Sequence, residues 1–73
     1  MIKISSAMQQ DQIIDLLDDH TEEGISFNFK EKEGIALFFE TDAEDPEKAA
    51  KLAKDYIKAQ DWGSILFFQS IAV

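Results

Sequence analysis

The spacing of apolar residues along this 73-residue chain switches between the period of a strand and that of a helix, predicting the order strand, helix, hairpin, helix, strand. Met1, Ile2, Lys3 and Ile4 run as the first strand into polar Ser5 and Ser6. Ser6 with Gln9 three residues later has the form of a capping box, in which each side chain satisfies an orphan amide of the first helical turn. Counting on at about 100° per residue puts Ile13, Ile14, Leu16 and Leu17 on one side and Asp11, Asp15, Asp18 and Glu22 along the other. Gly24 follows as the left-handed residue that commonly ends a helix. A helix of that length carries Asp18, Asp19, Glu22 and Glu23 at its C-terminal end, where the macrodipole disfavours negative charge, and no Lys in the segment offsets them.

Ile25, Phe27 and Phe29 then alternate with Ser26, Asn28 and Lys30, the mark of a half-buried strand with a polar second face. A two-residue turn at Glu33 and Gly34 would set Glu31 and Glu40 on the face of Phe27 and Phe29. A three-residue loop, Lys32, Glu33 and Gly34 with the glycine left-handed, places Ile35, Leu37 and Phe39 there instead and is the predicted turn. Phe38 then points out of the opposite side of the sheet.

Asp45 and Pro46 read as an N-cap and a first helical residue, opening a second helix that runs to about Asp61. Ala49, Leu52, Ala53, Tyr56 and Ile57 make its apolar face, and Lys48, Lys51, Lys54 and Lys58 line the side opposite. Trp62 and Gly63 close this helix, and Ser64 opens a last strand, Ile65 to Val73, with Phe67 next to Phe68.

This order resembles that of ferredoxin-like proteins and predicts one α+β domain over residues 1–73. The expected fold is a split βαβ (βαββαβ): a four-stranded antiparallel sheet with two helices side by side on one face, acidic next to basic. The resemblance stops at the fold and carries no function. Heavy-metal-binding domains of this shape need a Cys-x-x-Cys loop and acylphosphatase-like enzymes need an arginine, and this chain has neither. RNA-recognition domains surround their exposed aromatics with basic residues, whereas the surroundings here are acidic. Adjacent strand phenylalanines point to opposite faces, so an uncovered face receives Phe38 with either Leu66 and Phe68 or Ile65 and Phe67, according to the register of the last strand. Phe38, Leu66 and Phe68 are the candidate interaction residues of that face.

Charge narrows the function further. The chain carries 15 Asp plus Glu against 7 basic residues, all lysine, for a net charge of −8. That surface repels a phosphate backbone, so nucleic-acid binding is not expected. Cysteine is absent, which excludes disulfides and thiolate metal sites. The serines stand where caps or strand residues are expected and His20 is the only histidine, so no nucleophile system assembles and no enzyme is expected. Asp42, Glu44, Asp45 and Glu47 lack the glycine and glutamate spacing of an EF-hand loop, and neither metal nor cofactor is implied. No apolar h-region follows Ser5 and Ser6 and no run approaches membrane-spanning length, so a cytoplasmic protein without membrane contact is expected.

The resulting expectation is a small acidic protein–protein interaction or oligomerisation module. It would act as a homodimer or with a protein partner, through the aromatic face or the acidic stripe Asp11, Asp15, Asp18 and Glu22. A small-ligand-binding regulatory domain is the alternative, and a nucleic-acid mimic that uses the stripe as a row of phosphates is the third.

Overall fold

The computed structural model describes residues 1–73. β1 (Ile2–Ser5) buries Ile2 and Ile4 and turns Lys3 and Ser5 the other way, as a period of two requires. α1 (Gln10–Leu17) buries Ile13 and Leu17 but is shorter than its periodicity predicts at both ends. Ser6 is not its cap. The buried Ser6 hydroxyl donates to the Met8 carbonyl at 2.6 Å and accepts from the Met8 N–H at 3.3 Å, while Gln9 takes the N-cap position at φ 59° without a side-chain bond.

At its other end α1 stops at Leu17, with Asp18 extended and Asp19 left-handed at φ 55°. The early stop removes the conflict between four carboxylates and the negative end of the helix dipole. Asp18 instead accepts the Phe29 N–H at 3.0 Å, and His20–Glu22 forms β2, paired antiparallel with β3 (Ile25–Glu33). Glu23 and Gly24 make the two-residue turn between them, both at positive φ, 51° and 80°. This is the sign pattern of a type I′ hairpin turn, so Gly24 belongs to a hairpin and not to a helix end.

The next turn also differs from expectation. Glu33 pairs with Ala36 at the start of β4 (Ala36–Thr41), so the loop is Gly34–Ile35, two residues and not three. Gly34 does sit at positive φ, 59°. A bulge at Lys30 resolves the conflict over Glu31: Phe29 stays opposite Phe39 on the inner face, and Glu31 moves opposite Phe38 on the outer one. Leu37 and Phe39 are buried as expected, whereas Ile35 lies in the turn and is exposed.

α2 (Pro46–Lys58) begins where Asp45 accepts the Glu47 N–H at 3.1 Å, the cap that the Asp-Pro pair predicts. It buries Ala49, Ala50, Ala53 and Ile57, and three alanines on that face let its backbone come close to the sheet. The last strand is also short: β5 covers Gln69–Ala72, and the segment from Ile65 to Phe68 is an irregular connection.

The sheet is five-stranded, antiparallel and curled into a half-barrel, in the order β2-β3-β4-β1-β5. This overturns the expected four-stranded ferredoxin-like sheet, because residues that read as the end of a helix form an additional edge strand. Both helices lie in its curl and share one core with Ile2, Ile4, Phe27, Leu37 and Phe39, where the rings of Phe29 and Phe39 meet edge-on at 5.6 Å. No ion pair joins the helices: the pairs within 4 Å are His20 with Glu22 and Lys30 with Glu40.

Candidate functional site: an apolar end of the half-barrel

Antiparallel pairing brings three connections to one end of the molecule. Ser5, at the end of β1, lies between Ala36 of β4 and Gln69 of β5, so the β1–α1 loop, the Gly34–Ile35 turn and the approach to β5 are neighbours there. Each contributes an exposed apolar side chain: Met8 at 66% exposure, Ile35 at 56%, Ile65 at 86% and Phe67 at 98%. Two shallow depressions flank Phe67. One is floored by Ala7, Trp62 and Leu66, the other by Ser5, Ala7 and Phe68.

Local bonding explains why Phe67 points outward. The chain leaves α2 in a tight reversal held by Gly63 N–H to Gln60 O at 3.0 Å, Ser64 N–H to Gln60 O at 2.9 Å and Leu66 N–H to Gly63 O at 3.1 Å. Trp62, Leu66 and Phe68 pack back against the core, and the residues between them, Ile65 and Phe67, turn to water. Burying one large apolar side chain is worth about 1.5–3 kcal/mol, so leaving Phe67 uncovered forgoes a contribution of that size.

The residues read from the sequence as interaction sites are distributed differently. Leu66 and Phe68 are inward members of their segment, and the outward pair is Ile65 and Phe67. Phe38 is on the outer sheet face, but it stands in the row Ile71, Lys3, Phe38, Glu31, flanked on both sides by charged residues and apart from Phe67. Met8 and Ile35 escaped the sequence reading because one sits where a first helical turn was expected and the other where an inward strand position was. The signal for Ile65 and Phe67 was present as the second possible register of the last strand.

The acidic residues also separate. Asp11 and Asp15 are exposed on α1, Asp18 follows its end, and Glu22 is on β2 with Oε1 3.2 Å from Nε2 of His20, so the four do not form one row. His20 itself lies on β2 with its ring stacked on Tyr56 of α2, centroids 4.5 Å apart. Asp42 accepts the Ser26 N–H at 2.9 Å, and that backbone hydrogen bond holds its carboxyl below the usual carboxylate range. Asp18 and Asp42 are each engaged by a backbone N–H from a neighbouring strand, and no three His, Asp or Glu side chains converge as a metal-holding group. No helix is long and apolar enough to cross a membrane. Comparison with protein-family models, with curated proteins and with solved structures finds no match to this chain.

Proposed function

We propose that the chain is a non-enzymatic interaction module that associates with a second copy of itself through the apolar end. The observation that carries this reading is Phe67, the most exposed large apolar side chain, standing among Met8, Ile35 and Ile65. A standard interface takes about 800 Å² from each partner. The whole molecule exposes 4492 Å², so an interface of that size would cover a little under a fifth of its surface, about 800 Å². At about 1.5–3 kcal/mol for each large apolar side chain buried, four per copy doubled across a two-fold axis exceed the lower estimates of association cost, about 4 kcal/mol.

Charge sets the salt dependence. Copies of net charge −8 repel, and screening weakens that repulsion without touching apolar burial, so self-association tightens as salt is added. Sedimentation equilibrium of the wild type and of Phe67→Lys, at low and high NaCl, tests the reading. The expected result is a dimer for the wild type, stronger at high salt, and a folded monomer for the variant. A wild type that stays monomeric at high concentration and high salt would overturn it. A cytoplasmic location belongs to the same proposal and is tested by fractionation.

A further inference from the structure

A second surface runs along the free edge of β5, and it has two independent properties. The first is an open hydrogen-bonding edge. Val73 N–H donates to Met1 O at 3.0 Å, and β5 continues that ladder with Ile71 opposite Lys3 and Gln69 opposite Ser5. Alternate residues of an antiparallel strand direct their backbone groups to the same neighbour, so the N–H and C=O of Ser70 and Ala72 face outward. No loop or side chain bonds to them: the Ser70 hydroxyl is occupied with the Ala50 carbonyl of α2 at 2.7 Å, and the remaining backbone bonds outside regular elements lie elsewhere. Sheet edges are usually guarded by charge, proline or a bulge. Gln69, Ser70, Ile71 and Ala72 supply none of these. The opposite edge, β2, is three residues long and carries Glu22.

The second property is charge. Between β5 and α2 runs a groove of about 630 Å³ whose helix wall carries Lys51, Lys54 and Lys58 against Glu47 and Asp55. All three lysines are exposed, and none has a carboxylate within 4 Å. Lys54 and Lys58 also line its continuation toward Ile65 and Phe67, where no carboxylate is present. A chain with a net charge of −8 thus carries its row of unpaired positive charge beside its one unguarded strand edge.

We propose that β5 binds an extended acidic segment of another protein by strand addition. The segment's backbone pairs with Ser70 and Ala72, and its side chains at alternate positions fall on the α2 side, where carboxylates meet Lys51, Lys54 and Lys58. Strand addition supplies the hydrogen bonds and the lysine row selects the sign of the partner. This inference does not rest on the apolar end.

The test uses a fluorescent acetylated and amidated peptide, Glu-Val-Glu-Val-Glu-Val, and its Lys-Val counterpart. Binding is read by anisotropy and mapped by amide shifts on the labelled protein. Ala72→Pro removes one outward N–H and no ladder bond, because the Ala72 amide does not face β1, and proline is tolerated at such edge positions. Lys54→Glu with Lys58→Glu reverses the wall and leaves the strand alone. The wild type should bind the acidic peptide only, with shifts centred on Ser70 and Ala72, and each variant should weaken binding about tenfold or more. Should Ala72→Pro fail to fold, the lysine variant and the shift map still decide. Equal binding of both peptides, unchanged binding in the lysine variant, or no binding at millimolar peptide would overturn the proposal. So would loss of wild-type self-association in Ala72→Pro, which would assign the edge to a second copy.

Discussion

Gly63 sets the path of the segment that presents Phe67. It is buried, and a methyl group on its Cα would collide with the Ile57 carbonyl oxygen and come 2.8 Å from its carbon, atoms of helix backbone that cannot swing aside. Gly63→Ala should therefore destabilise the protein by about 1–3 kcal/mol, the range for overpacking a filled site. Urea unfolding at low protein concentration measures this, and an unchanged midpoint would show that the Ile57 turn yields. The sequence marks Gly63 only as the close of a helix, because a close approach depends on what packs there and leaves no local trace. Gly34 was legible because its requirement is local: a tight turn between two strand patterns calls for positive φ, which glycine adopts without steric cost. The loop length at Gly34 was not legible, since the bulge at Lys30 shifts the register without any compositional mark.

At the scale of elements, the stretch from Asp18 to Gly24 was misread because two patterns compete there. Helical periodicity continues through it, and Gly24 suits either a helix end or a hairpin turn. Electrostatics favour the hairpin, since a helix through Glu23 collects four carboxylates at its negative end with no lysine to offset them. That conflict was visible in the sequence, but its resolution needed β3 as a partner for β2. By contrast α2 was legible at its start, because Asp45, Pro46 and the alanine-rich apolar face all point the same way. The hairpin still carries strain: Glu23 holds φ 51°, a conformation that side chains other than Asn, Asp and Gly resist. Replacing Glu23 by Asn, which suits the first position of a type I′ turn, should stabilise the protein by up to about 1 kcal/mol. The urea midpoint checks it, and Glu23→Pro serves as the opposite control because proline cannot adopt positive φ. A lower midpoint for the Asn variant would mean that Glu23 contributes more through its charge than its backbone costs.

Across the whole molecule few charges are compensated by a close partner. Only His20 with Glu22 and Lys30 with Glu40 come within 4 Å, and the lysine row of α2 stands apart from the carboxylates of α1. The protein measures 29 × 25 × 19 Å. At an ionic strength of about 0.01 M the screening length is ~30 Å, so it spans the molecule and every carboxylate repels every other; at ~0.1 M it falls to ~10 Å and only neighbours interact. The unfolded chain separates the same charges, so the repulsion acts chiefly against the folded state. Stability should therefore rise between these salt concentrations, by about 1 kcal/mol, or about 4–8 °C in Tm for a domain of this size. Urea is the denaturant to use, because guanidinium would itself screen the charges. Self-association would also tighten with salt and stabilise the fold, so the measurement is made at low concentration and repeated on dilution. A salt effect that survives dilution belongs to the monomer's own charge. A midpoint that does not rise would mean that the lysines of α2 already balance the field of the carboxylates, and the attraction assigned to them at the β5 edge would then be largely spent within the chain.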